Sequence, residues 1–200
     1  MNKKELINSL KNAGFSKSIV VAFQKVNRED FVQSEFKEHS YFDEALPIGY
    51  GQTISQPYTI AFMLSLLNLG SNQKILEIGS GSGYVLALIN EICKNKKSEI
   101  IGIERVKELA EKSAQVLKNY KNIKITSGNA FSLISKLDKF DRILVSAASD
   151  TIPQIFIEHL KEEGILVMPV KNSIFQIKKT KKSIVKKEFP GFAFVPLIKD

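Results

Sequence analysis

The chain has 200 residues, 44% of them apolar, a formal charge of +8 and one cysteine. That length and apolar share suit one core, so a single domain over residues 1–200 is expected. The lone Cys93 excludes an internal disulfide and a cysteine-only metal cage, and no apolar run reaches the ~18 residues that cross a bilayer.

Met1-Asn2-Lys3-Lys4-Glu5-Leu6 leads into an amphipathic pattern rather than a signal-peptide core, so a cytoplasmic location is expected. Leu6, Ile7 and Leu10, then Ile19, Val20, Phe23 and Val26, recur at helical spacing and predict two short helices broken at Gly14. Residues 41–56 are rich in Gly, Pro and polar side chains without a clean period. They read as a long ordered loop, so residues 1–54 make up a helical flank and an active-site loop. Ser55-Gln56-Pro57 then precedes the apolar pattern Ile60, Met63, Leu64, Leu67, which makes Ser55 a candidate helix N-cap with Pro57 near the first helical position.

From Lys74 onward, strands at 74–78, 99–103, 123–126 and 142–146 alternate with helices at 84–93, 106–120 and 130–137. This is the pattern of a doubly wound, mostly parallel α/β sheet. After a helix around 155–160, segments 164–170, 173–178 and 183–188 read as antiparallel closing strands. The positive charge invites a polyanion partner, but many lysines crowd into residues 171–187. There Lys178, Lys179, Lys181 and Lys182 read as the solvated tip of a hairpin, so no specific nucleic-acid partner and no membrane contact are expected.

Gly79-Ser80-Gly81-Ser82-Gly83 follows the strand at 74–78 and opens a helix at Tyr84, where backbone turns tightly and approaches a ligand closely. The spacing is G-x-G-x-G. The bulky Tyr84, where the dinucleotide fingerprint needs a small residue, counts against NAD or FAD. There is no G-x-x-x-x-G-K-[ST] phosphate loop. Glu104 stands about twenty residues past the glycines, where a carboxylate accepts from both ribose hydroxyls. With Glu77 ahead of the turn, the set defines an adenosine site; the alternative for Glu104 is an exposed carboxylate paired with Arg105 or Lys107. His39 and His159 lack partners at ligand spacing, so no metal is expected.

Residues 45–58, A-L-P-I-G-Y-G-Q-T-I-S-Q-P-Y, followed by L-E-I-G-S-G-S-G-Y at 76–84, resemble the protein-L-isoaspartate O-methyltransferase family. The G-Q-T-I-S-Q-P stretch is specific to it, whereas the glycine turn is shared by many methyltransferases. V-N-R-E-D-F-V at 26–32 and F-V-P-L at 194–197 extend the resemblance nearly end to end. It implies a seven-stranded Rossmann-like sheet that binds S-adenosylmethionine, with an N-terminal helical flank and rearranged last strands. The implied reaction methylates the free α-carboxylate of isoaspartyl residues in damaged proteins and begins their repair through a succinimide.

Carried over residue by residue, Thr53, Ile54 and Ser55 lie against cofactor and acceptor, with Ser55 at the catalytic position. The cofactor falls to Glu77 and the turn residues Gly79, Ser80, Gly81, Ser82 and Gly83, then to Glu104 and Arg105, and last to Asn129 and Ala130. Asn129 stands where such methyltransferases commonly carry Asp. Its carbonyl can accept from the adenine amino group without charge assistance, or it is only a turn or helix N-cap. Ala147 and Ala148, with Val195, Pro196 and Leu197, would line a groove for the isoaspartyl peptide, partly through backbone bonds. Lys171 follows Pro169-Val170 where the family usually has glycine. A monomer is favoured. Two other readings stay open: a nucleic-acid methyltransferase, for which residues 145–150 offer no [N/D]-P-P-[Y/F], and a scaffold that binds cofactor without turnover.

Overall fold

Strands that are apolar almost throughout are stable only when covered on both faces, and the centre of this fold meets that condition. The computed structural model describes residues 1–93 and 97–199. The first antiparallel pair is β1 (Leu46–Gly49) and β2 (Gln52–Ile54). The main sheet uses β3 (Lys74–Ile78), β4 (Glu99–Glu104), β5 (Ile123–Ser127), β6 (Phe140–Val145), β7 (Leu160–Val170), β8 (Ser173–Lys179) and β9 (Ile184–Pro190), in the order β5-β4-β3-β6-β7-β8-β9. Strand order reverses between β3 and β6, and their carboxyl ends diverge into a crevice there.

Alternate side chains feed two cores. Ile75, Ile100, Leu144, Val167 and Ile174 face one, while Leu76, Ile101, Ile143, Leu166 and Ile177 face the other. Over the first face lie α1 (Lys3–Asn12), α2 (Lys17–Lys25), α3 (Pro57–Leu67), α4 (Tyr84–Cys93) and α5 (Lys107–Val116); over the second lie α6 (Ala130–Ile134) and α7 (Gln154–Glu158). Asn2 and Glu5 start α1 with a reciprocal capping box.

Three expectations change. The segment 164–170 was expected to be the first antiparallel closing strand, but β7 runs parallel to β6 and is antiparallel only to β8. The short α7 crossover returns the chain in the same sense as β6, and the reversal waits for the Lys171-Asn172 turn. β7 also begins at Leu160, where a helix was expected to end. The loop at 41–56 contains the β1–β2 hairpin. It turns on Tyr50 and Gly51, with φ of 56° and 69°, the paired left-handed geometry of a two-residue hairpin. Finally, Ser55 is not the cap of α3. Gln56 holds that place, and Asp43 serves the helix start, accepting from the Tyr58 amide at 2.8 Å.

The basic hairpin of β8 and β9 is largely self-compensated at its tip. Lys178 meets Glu163 at 2.7 Å and Lys181 meets Glu162 at 3.5 Å. Lys179 Nζ donates to the carbonyls of Ile157 and Leu160 at the end of α7.

Candidate active site

The turn after β3 is drawn against β4 by its own backbone. The amides of Gly79 and Ser80 both donate to the Ile103 carbonyl, at 2.8 and 3.2 Å. The approach requires Gly102 in β4: a Cβ there would lie 2.7 Å from Leu86 Cδ1 and 3.0 Å from Ser80 Oγ. Gly83 serves packing instead of the ligand side. It sits at φ 84°, and a Cβ on it would meet Leu117 Cδ1 at 2.7 Å, so its role is to let α5 close on α4. It does not line the cleft.

The cleft over the crevice has about 890 Å³ of empty volume, part of it open to solvent. Its floor is Glu77, Gly79, Ser80, Gly81 and Ser82; its walls include Thr53, Ile54 and Ser55 on one side and Glu104, Arg105 and Ala130 on another. Glu104 is buried, not the exposed partner of a neighbouring cation. Its Oε2 accepts from the Gly81 amide at 2.8 Å and its Oε1 from the Val106 amide at 2.9 Å. Lys107 pairs with Glu111 instead. Ile48, Gln52, Val106 and Ile198 also line the cleft and were not singled out by the sequence.

Glu77 is 1% exposed. Its Oε1 accepts from Ser146 Oγ at 2.8 Å, while Oε2 has no partner. Burial pushes its carboxyl up to about 8; the Ser146 bond opposes this and the neighbouring Glu104 adds to it. Ser80 Oγ is likewise buried without a partner. Two orphaned polar atoms in one cleft suit a polar, cationic ligand that would satisfy both. With Glu104, they fit S-adenosylmethionine.

A second cavity opens outside the first, between Asp43, Glu44, Gln56 and Tyr58 on one bank and Gly191, Phe192, Ala193 and Phe194 on the other. The two cavities share Thr53, Ser55, Ser146 and Val195. At this junction the Ser55 hydroxyl has no hydrogen bond among the described residues, and only the Ser55 carbonyl is engaged, by Arg28 Nη1 at 2.7 Å. Ser146 and Arg28 were missed as candidate site residues. Each acts through a partner far off in sequence, 69 and 27 residues away respectively, which no local spacing reveals.

Of the five residues expected to line a peptide groove, Ala147, Val195, Pro196 and Leu197 line the inner cleft, only Val195 also lines the outer cavity, and Ala148 lines neither. The Ala148 amide donates to Val195 O at 2.8 Å and its carbonyl accepts from Leu197 N at 2.6 Å, so its backbone is taken up by the chain's own last segment. Asn129 does not line the cleft either, although Gly128 and Ala130 do. Its Oδ1 caps α6, accepting from the Phe131 amide at 2.8 Å. Among the described residues no group of three or more His, Cys, Asp or Glu is placed to hold a metal ion, and no helix is long and apolar enough to cross a membrane.

A Rossmann-like sheet with a glycine turn over its switch point and a buried carboxylate, Glu104, at the end of the next strand fits the class of S-adenosylmethionine-dependent methyltransferases. The family model for protein-L-isoaspartate(D-aspartate) O-methyltransferase matches residues 1–200. The protein-L-isoaspartate O-methyltransferase of Dictyoglomus thermophilum is 41% identical over 98% of this chain and 90% of its own length; that of Methanococcus aeolicus is 39% identical over 96% and 92%. A crystal structure of a Plasmodium falciparum enzyme described under the same activity, in complex with S-adenosyl-L-homocysteine, superposes over all of both chains with a TM-score of 0.89 and 30% identity. The chain belongs to the protein-L-isoaspartate O-methyltransferase family.

Proposed function

We propose that the two cavities divide the reaction, the inner one taking S-adenosylmethionine and the outer one an isoaspartyl segment of a damaged protein. The reaction is methyl transfer to the free α-carboxylate of the isoaspartyl residue. The observation that carries this reading is the shared wall of Thr53, Ser55, Ser146 and Val195, with a serine hydroxyl unengaged at the junction.

When bound, the cofactor would supply an electrophilic sulfonium methyl to a carboxylate oxygen of the acceptor, the S–CH3 bond breaking as the O–CH3 bond forms and S-adenosylhomocysteine leaving. Glu104, already fixed by two amides, keeps lone pairs for ribose hydroxyls. Glu77 Oε2 and Ser80 Oγ take the polar methionyl end. The α-carboxyl of an isoaspartyl residue has a pKa near roughly 3.5 and is ionised at neutral pH, so no general base is needed. The work left to the chain is orientation. Ser55 donates a hydrogen bond to one carboxylate oxygen, and the walls exclude water while the other oxygen faces the methyl. The ester then cyclises to a succinimide without further help, the neighbouring backbone amide nitrogen attacking the ester carbonyl and methanol leaving. A cytoplasmic monomer acting on protein belongs to the same proposal, and the pairing of Lys178 and Lys181 with Glu163 and Glu162 of β7 supports a protein acceptor over a nucleic acid.

The test is labelled methyl transfer to an isoaspartyl peptide and to its normal aspartyl counterpart. Turnover of the first alone is expected. Equal methylation of both, or tight cofactor binding with turnover of neither, would remove the repair assignment.

A further inference from the structure

We propose that Arg28 is a positioning residue for the Ser55 hydroxyl, clamping the active-site hairpin from the N-terminal flank without lining either cavity. This rests on the proposed role of Ser55 in orienting the acceptor. Arg28 opens the 3₁₀ turn Arg28–Phe31 and is fully buried. Its Nη1 donates to the carbonyl of Ser55 at 2.7 Å and its Nη2 to the carbonyl of Glu44 at 2.9 Å. Glu44 precedes β1 and Ser55 follows β2, so one planar fork joins the two ends of the hairpin. The guanidinium carbon lies 5.7 Å from the centre of the Tyr84 ring, and Tyr84 begins α4 directly after the glycine turn. A single cation therefore links the loop that carries Ser55 to the element that carries the cofactor turn.

The energetics favour a geometric role. A buried guanidinium is expensive to desolvate, and its Nε has no partner here. An apolar side chain of similar volume would fill the space without that penalty, but it would leave two partly buried carbonyls without donors and the hairpin ends unjoined. Asp43 holds the next step of the chain, accepting from Gln56 Nε2 at 3.1 Å and from the Tyr58 amide. Asp43 thus fixes the start of α3 beyond Ser55, and Arg28 fixes Ser55 itself. Displacing a hydrogen-bond donor by about 1 Å costs on the order of a hundredfold in rate.

The experiment compares Arg28→Met, Arg28→Lys and Ser55→Ala, singly and as the Arg28→Lys/Ser55→Ala pair. Arg28→Met should lower kcat on an isoaspartyl peptide by about 30- to 300-fold and Arg28→Lys by less, with the Kd for S-adenosylhomocysteine within about threefold. In the Ser55→Ala background, Arg28→Lys should cost nothing more, because the hydroxyl it positions is gone. Hydrogen exchange should quicken at 53–58 in Arg28→Lys and stay unchanged at 77–83. Additive losses, or full turnover in the folded Arg28 variants beside a slow Ser55→Ala, would overturn the proposal. Full turnover in Ser55→Ala alone would instead mark failure of the Ser55 reading. If Arg28→Met does not fold, the Arg28→Lys cycle decides.

Discussion

Ser146 Oγ lies 2.8 Å from Glu77 Oε1, and among the described residues this bond is the only one the buried Glu77 carboxyl makes. Burial raises Glu77 from its ordinary 4.5 to about 8, so the carboxyl is mostly protonated in the empty cleft at neutral pH. A folded-state pKa above the unfolded one contributes stability that is whole below 4.5 and is lost as pH rises through about 8. The ligand-free protein should therefore melt at progressively lower temperature across that window, with a slope of at most about 1.4 kcal/mol per pH unit. Glu77→Gln should flatten the profile. Because the Ser146 bond favours the ionised form, Ser146→Ala should extend the upper edge of the window to higher pH and leave the lower edge in place. A Glu77→Gln protein with the parent's pH profile would show that Glu77 titrates normally.

The same pair predicts a linked proton. A cationic cofactor beside Glu77 favours its carboxylate, so S-adenosylmethionine binding near pH 7 should release up to about one proton. Calorimetry in two buffers of different ionisation heat measures this directly. Glu77→Gln should remove the buffer dependence, and a parent protein that already binds without it would exclude the linkage.

Glu104 offers a separate handle on affinity. Its two oxygens are each fixed by one amide, so Glu104→Gln places an NH₂ against the amide of Gly81 or Val106 and loses charge as well. Weakening of S-adenosylhomocysteine binding by roughly 1.5 to 3 kcal/mol is expected. Unchanged affinity in a folded variant would take Glu104 out of the cofactor site.

Asn129 shows where reading the sequence stops short. Its place after β5 matches a cofactor contact and its place before α6 matches a cap, and the sequence alone does not separate the two. With Oδ1 on the Phe131 amide, Asn129→Ala should cost about 1 kcal/mol of stability in chemical denaturation, while Asn129→Asp should be nearly neutral. Cofactor affinity should stay within a few fold in both. A large loss of affinity in Asn129→Ala at unchanged stability would restore the adenine contact.

The parallel strands were legible because double-sided burial leaves near-continuous runs such as Ile75-Leu76-Glu77-Ile78 bounded by glycine. The β1–β2 hairpin was not, since strands of three and four residues show no secure period and only Tyr50-Gly51 marks the turn. The glycine turn and Glu104 were found by spacing, and Ser55 by resemblance. Arg28 and Ser146 act through partners brought close only by folding. Lys171 follows the same logic: a substitution for a usual glycine is visible in sequence, but its left-handed φ of 52° is not.

Ser55 bears the most direct prediction. Its carbonyl is held by Arg28, its hydroxyl is unengaged, and it belongs to the wall common to both cavities. Removing the hydroxyl takes away one donor to a carboxylate that is already ionised, and leaves Glu77, Ser80 and Glu104 in place. Ser55→Ala should lower kcat by roughly ten- to a thousandfold, about 1.4 to 4 kcal/mol of barrier, with cofactor affinity within a few fold. At saturating cofactor, kcat should vary little between about pH 6 and 8, because the acceptor titrates far below that range and no histidine serves as base. A Ser55→Ala enzyme as fast as the parent would mean that the walls of the two cavities orient the carboxylate without the serine.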